Sequence, residues 1–259
     1  MNAWHQFLWV IFPYLSLVTF VLGHIYRYRY DQYGWTPKSS QLLERRLLMW
    51  GVLLFHWGFL LVFGGHVMGL LVPIGVYHAI GVSDHNYHLL SLWVGAPIGT
   101  VAMVGILLLN ARRWFIPRIQ NNTDTMRFLT DGLLLVVILL GLAATIGYRV
   151  YASQYELHGE FEYRDTVGEW FRSLFLFRPE AGLMAGAPLI FQLHTLSAFV
   201  LFALWPFSSL VHVFSVPLGY LRRSYVQYRS LNPRATLARE RARRTGEKPA
   251  KVEGSSRVE

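Results

Sequence analysis

Five long apolar runs, at residues 7–26, 47–71, 87–110, 127–147 and 187–216, are separated by polar connections and set the pattern of the chain. A helix rising 1.5 Å per residue needs about 20 mostly apolar residues to cross about 30 Å of hydrocarbon, and each run meets that requirement. The pattern predicts an all-α fold, an integral membrane bundle of five transmembrane helices within residues 1–229. In the connection before the fifth run, Val167, Trp170, Phe171, Leu174 and Phe175 recur on one face of a short amphipathic helix. Such a helix is expected to lie at the outer membrane surface. Residues 230–259 are small, polar and basic, with little to bury, and are expected to form a disordered cytoplasmic tail. The first run has no positively charged region before it and no small-residue cleavage site, so it reads as a retained span.

Composition agrees: 53% of the 259 residues are hydrophobic and 15% are charged. There is no cysteine, which excludes disulfides, thiolate-held zinc, iron–sulfur clusters and covalent haem attachment within this chain. Any metal must rest on histidine, methionine or carboxylate.

The charge pattern predicts orientation. Of the 24 lysines and arginines, five lie between the first two runs, four between the third and fourth, and eleven after the fifth. All twenty fall on one side. The opposite side has none before the first run or between the second and third, and four arginines against six acids before the fifth. By the positive-inside rule the N-terminus faces out and the C-terminus faces the cytoplasm. The net charge of +9 sits mainly at membrane edges, where it meets anionic lipid, so nucleic acid is not an expected partner.

Of the ten histidines, four lie at membrane depth: His56 and His66 in the second run, His194 and His212 in the fifth. One such imidazole could be an ordinary interhelical hydrogen bond. Four form a pattern, because antiparallel runs put His66 level with His194 in the outer half and His56 level with His212 in the inner half. Eighteen residues make five helical turns, so a continuous helix would present His194 and His212 on one face, while the ten-residue gap rotates His56 from His66 by about 80°. Rises of about 15 and about 27 Å do not match, which calls for tilt or a bend near Pro206. Gly58, Gly64, Gly65 and Gly69 would make room for a flat ligand, although glycine is also common at ordinary helix contacts. Two facing histidines suit the axial positions of a haem, and they are too few for zinc or copper. Metal ligands His56, His66, His194 and His212 are therefore expected to hold two b haems with no open iron position, a device for electron transfer. Arg112, Arg113 and Arg222 are candidate propionate partners, and His5, His24, His78 and His158 read as interface or surface residues.

The segments around these histidines read LLFHWG, FGGHVMG, FQLHTLS and PFSSLVHVFSVPLGYL, and the start reads FPYLSLVTFVLGHIYRYRYDQYGWTPKSSQLLERR. Over residues 7–228 the chain resembles the gamma subunit of respiratory nitrate reductase, a membrane cytochrome b. The resemblance implies an outer haem on His66 and His194 and an inner one on His56 and His212. It also implies oxidation of quinol, menaquinol or ubiquinol, beside the outer haem. The implied partners are an iron–sulfur subunit and a molybdenum catalytic subunit on the cytoplasmic side of the inner (plasma) membrane. In the family the outer connection can carry a lysine near the quinol pocket, whereas residues 73–87 have none here; Gly65, His85, Asn86 and His88 are the candidates instead. Two other readings stay open: a similar cytochrome serving a heterodisulfide, sulfur-cycle or nitrite-oxidising partner, and a transporter with proton-relay histidines, which would bind no haem.

Overall fold

A computed structural model describes residues 2–35, 40–154, 161–215, 241 and 243–246 of the chain. His158, Arg222 and most of the predicted tail lie outside the described residues. Residues Met1–Ser215 form one compact unit, and residues Val216–Glu259 are assigned to a second. The described residues of the second include a helical turn in which Thr245 donates to the Arg241 carbonyl at 3.0 Å.

The first unit contains five helices long and apolar enough to cross a membrane. They are α1 (Ala3–Tyr30), α2 (Arg46–Leu71), α3 (Asp84–Phe115), α4 (Thr125–Gln154, apolar to Gly147) and, after the short surface helix α5 (Val167–Phe175), α6 (Leu189–Phe207). No strand occurs among the described residues. The face where α1 begins is called the first face here, and the opposite one the second.

Three spans carry a π-helical turn near the first face: Phe7–Ile11, Val67–Leu71 and Ser91–Gly95. Pro13 and Pro97 follow two of them, and a proline has no N–H for the carbonyl four residues back. For Pro13 that carbonyl belongs to Trp9. The indole Nε1 of Trp170 donates to it at 2.9 Å, and the two rings cross edge to face at 5.9 Å. This contact docks α5 on α1. Val167, Trp170 and Leu174 of the predicted apolar face are buried with Met184 and Phe199, whereas Phe175 is exposed. The helix is a packed cap of the bundle at the first face.

Lipid chains are as apolar as leucine, so association of α2 with α3 depends on close packing at small residues. A Cβ on Gly58 would lie 2.7 Å from the backbone nitrogen of Ala102, and one on Gly51 would lie 2.8 Å from Leu109 Cδ2. Gly58 is therefore a helix-contact residue, not the clearance for a ligand that its spacing from His56 suggested. At the level of this seam Phe55, Met103, Ile106, Leu134 and Leu201 form a second buried cluster. Trp57 and Leu61 are exposed on the side of α2 away from both this seam and the histidines.

The fifth span departs from the expected continuous helix over 187–216. Its α-helix ends at Leu204, Trp205–Phe207 is a 3-10 turn, Ser208 is extended at φ −110°, and Ser209–Phe214 is a second 3-10 stretch. Pro206 causes the break: it removes one backbone donor and clashes with the preceding turn. His212 thus lies beyond the α-helix that carries His194, and the five-turn alignment of those two residues does not hold. Of the two ways to reconcile the rises, tilt or a bend near Pro206, the chain does break at Pro206.

Candidate functional site

The bundle brings the four membrane histidines together in two couples. The rings of His66 and His194 have centroids 6.0 Å apart with planes inclined by 36°, and those of His56 and His212 are 6.1 Å apart at 56°. Polarity follows from the chain path: α2 runs toward the first face, putting His66 nearer to it than His56, and α6 runs away from it, putting His194 nearer than His212.

Each ring is held by its Nδ1. His56 reaches the Val52 carbonyl at 2.9 Å and His66 the Val62 carbonyl at 2.8 Å, both one turn back on α2. His194 reaches Val137 of α4 at 3.0 Å, and His212 reaches Ser209 at 2.6 Å. A carbonyl oxygen only accepts, so Nδ1 carries the proton in all four and Nε2 keeps the lone pair. Such a hydrogen bond fixes the direction of the ring and raises the basicity of Nε2.

Spacing supplies a separate test. Metal–imidazole bonds of about 2 Å on either side of one metal ion, plus two ring radii of about 1.1 Å, put opposed ring centroids roughly 6 Å apart. Both couples have that separation. Among the described residues there is no cluster of three or more histidines or carboxylates poised for a metal ion.

The glycines near the site divide by role. A Cβ on Gly64 or Gly65 would meet nothing within 4 Å, so the slot beside His66 is open there. Gly69 is packed: its Cβ would lie 2.8 Å from the Tyr163 hydroxyl and 3.1 Å from that of Tyr87. Sequence reasoning missed Gly141 of α4, where a Cβ would lie 2.8 Å from Cε1 of His194. Its one visible signal is a lone glycine inside the apolar run LLGLAAT, which also suits an ordinary helix contact.

Above Gly69 a polar cluster closes the first face. His88 is buried and pairs through Nε2 with Glu162 Oε2 at 2.7 Å, while His85 and Asn86 are exposed. Arg164, fully buried, donates from Nε to Glu162 at 3.0 Å and from Nη2 to Asp84 at 2.7 Å, and its guanidinium lies 4.1 Å over the Tyr87 ring. Burial alone would raise the Glu162 carboxyl, but the hydrogen bonds from His88 and Arg164 outweigh it and hold the group at about 2. Arg172 donates to the Leu70 carbonyl at 2.9 Å, within the π turn that follows His66. Glu162, Tyr163 and Arg164 precede the periodic stretch of their connection, and Arg172 lies on the polar side of α5, so no local period marked any of them as part of this cluster.

At the second face Arg112 is buried and committed to the connection before α2: Nε donates to Glu44 at 2.7 Å, and its terminal nitrogens reach Ser40 and the Glu44 carbonyl. Arg113 pairs with Asp131. His24 donates to the Phe20 carbonyl at 2.6 Å among Phe20, Trp35 and Phe214, and His78 is an exposed partner of Asp84.

Five apolar spans make this a multi-pass membrane protein, and with the relatives below its class is that of a membrane cytochrome b. The profile of the family described as "Nitrate reductase gamma subunit" matches residues 5–231, and the chain belongs to that family, whose members are membrane components of nitrate respiration. It is 51% identical over 224 residues to the nitrate reductase gamma chain of Bacillus subtilis, covering 86% of this chain and 97% of that one. It is 35% identical over 229 residues to the respiratory nitrate reductase 1 gamma chain of Escherichia coli, covering 87% and 97%. It is also 39% identical over 242 residues to the nitrate reductase-like protein NarX of Mycobacterium tuberculosis, covering 93% of this chain and 36% of that protein. Family and spans together make it a multi-pass inner membrane protein.

Proposed function

We propose that this chain is the two-haem, quinol-oxidising subunit of a nitrate reductase complex. The observation that carries the reading is the repeated geometry of the couples: ring centroids 6.0 and 6.1 Å apart, every Nδ1 donating to a backbone carbonyl, every Nε2 left with its lone pair. His66 with His194 would hold one b haem, and His56 with His212 the other. Held by two histidines each, such groups would supply one-electron chemistry when bound.

The protein's own part is placement. The four carbonyls fix tautomer and ring direction, and the apolar spans exclude water and set the local dielectric. Quinol, menaquinol or ubiquinol, is assigned to the first face beside His66, where Gly65 leaves space and His88 with Glu162 provides a buried acid–base pair. That face is assigned to the outside, because the cationic connections lie at the second face. The partners are an iron–sulfur subunit and a molybdenum catalytic subunit docking on the cytoplasmic side. Quinol protons are released outside and electrons are delivered inside, and each charge moved across 100 mV is worth about 2.3 kcal/mol.

The test is the absorption spectrum of the purified complex with a haem count. The reading expects a Soret band, an α band on reduction by quinol, and two non-covalent b haems per copy of this chain. A haem-free chain purified after ample haem supply would overturn it, and so would reduction by dithionite but never by quinol.

A further inference from the structure

The break in α6 lies between the two histidines of that segment, and something must hold the chain where it leaves the helix. Carbonyls freed by such a break are costly in an apolar interior unless a donor reaches them. The donor comes from α1. Arg27, near its second-face end, donates from Nη1 to the carbonyls of Pro206 and Ser208, both at 2.7 Å, and from Nη2 to the Gly34 carbonyl at 2.6 Å. Its side chain is 16% exposed, and Asp31 one turn on lies 3.4 Å from Nε.

The held peptides lead directly to His212. Ser208 Oγ donates to the Trp205 carbonyl at 2.8 Å and accepts from Leu210 N at 3.1 Å, capping the 3-10 stretch. The next carbonyl, that of Ser209, is the one the His212 ring donates to at 2.6 Å. Arg27 therefore grips the peptide plane adjoining the one that orients the imidazole. Gly23, one turn earlier on α1, gives the approach: a Cβ there would lie 2.7 Å from Pro206 Cβ and 2.8 Å from Cγ. The planar fork of arginine reaches three carbonyls at once, which the single ammonium of lysine does not reproduce.

We propose that Arg27 is a positioning residue for His212, acting through the Pro206–Ser209 backbone to set the ring geometry of the His56–His212 couple and leaving the His66–His194 couple untouched. The inference rests on the two-haem reading above and goes beyond it by naming what fixes one couple apart from the other. The experiment is a redox titration of membranes containing the whole complex, followed by the low-spin haem signals in electron paramagnetic resonance, with His56→Ala used to assign the two signals. Arg27→Lys and Arg27→Gln should each keep two haems per chain while shifting the g values and midpoint of the His56–His212 signal, with the other signal in place. Gly23→Ala, which pushes on Pro206 without touching Arg27, should move the same signal. If Arg27→Gln does not assemble, the lysine and Gly23 variants decide the matter. Two haems with neither signal moved, or both moved equally, would overturn the inference and leave the haem reading intact; a colourless wild-type complex would overturn both.

Discussion

The Nδ1 of His194 donates to the carbonyl of Val137, 57 residues earlier in the chain, at 3.0 Å. One histidine of the first-face couple is thus aimed from α4, a span without a membrane histidine of its own. Gly141, one turn further along α4, leaves the room in which that ring lies. A Cβ at that position would lie 2.8 Å from Cε1 of His194 and press on the imidazole edge. Gly141→Val is therefore expected to lose the haem of the His66–His194 couple and keep the other, read as a fall from two haems to one per chain in a pyridine haemochrome assay.

The couples also predict separable losses. His56→Ala and His66→Ala should each remove one haem, leaving the other spectrally normal. Only His66→Ala should abolish reduction of the remaining haem by quinol, because the quinol site is assigned to the first face. Stopped-flow reduction with a menaquinol analogue checks this, and a normal rate in His66→Ala would count against the assignment.

Trp170 separates hydrogen bonding from packing. Trp170→Phe keeps an aromatic ring against Trp9 but withdraws the donor from the Trp9 carbonyl, a loss of about 1 kcal/mol. Trp170→Ala removes a fully buried ring and should cost about 3–5 kcal/mol. Thermal unfolding in detergent should rank wild type above Trp170→Phe and both well above Trp170→Ala.

Glu162 gives the protein a pH limit. Its folded value of about 2 lies below the ordinary 4.5, so folding favours the ionised form. The associated stability is fully present above pH 4.5 and is lost as pH falls through about 2. Wild type should lose melting temperature across that window, and Glu162→Gln should start lower and change less. Equal pH profiles for the two would remove Glu162 from this role.

Much of this was legible from local pattern. The length of each apolar run counted the spans, since crossing hydrocarbon with every backbone group bonded leaves a helix little alternative. Depth along antiparallel runs paired His66 with His194 and His56 with His212, and the rings of both couples do approach. The face of α5 followed from its period, although its outer residue Phe175 stays exposed.

What misled was the assumption that a run of apolar residues is one regular helix. Pro206 was visible as a source of bending, but neither the extent of the 3-10 segment around His212 nor the meeting of Arg27 of α1 with the Pro206 and Ser208 carbonyls was. Gly58 and Gly64 look alike in sequence, yet one abuts the Ala102 backbone and the other faces open space.

By itself, then, the sequence determined the number of crossings, the depth of each imidazole and the absence of any thiol ligand, all properties of single segments in a solvent that permits few conformations. Tertiary structure alone decided which distant groups meet at the site: Val137 and Gly141 at His194, Arg27 at the carbonyls of Pro206 and Ser208 before His212, and Glu162 with Arg164 and His88 at the first face. Such partners are set by the approach of spans far apart in the chain, where a few tenths of an ångström at a glycine or a freed carbonyl determine what fits, and no local period records that distance.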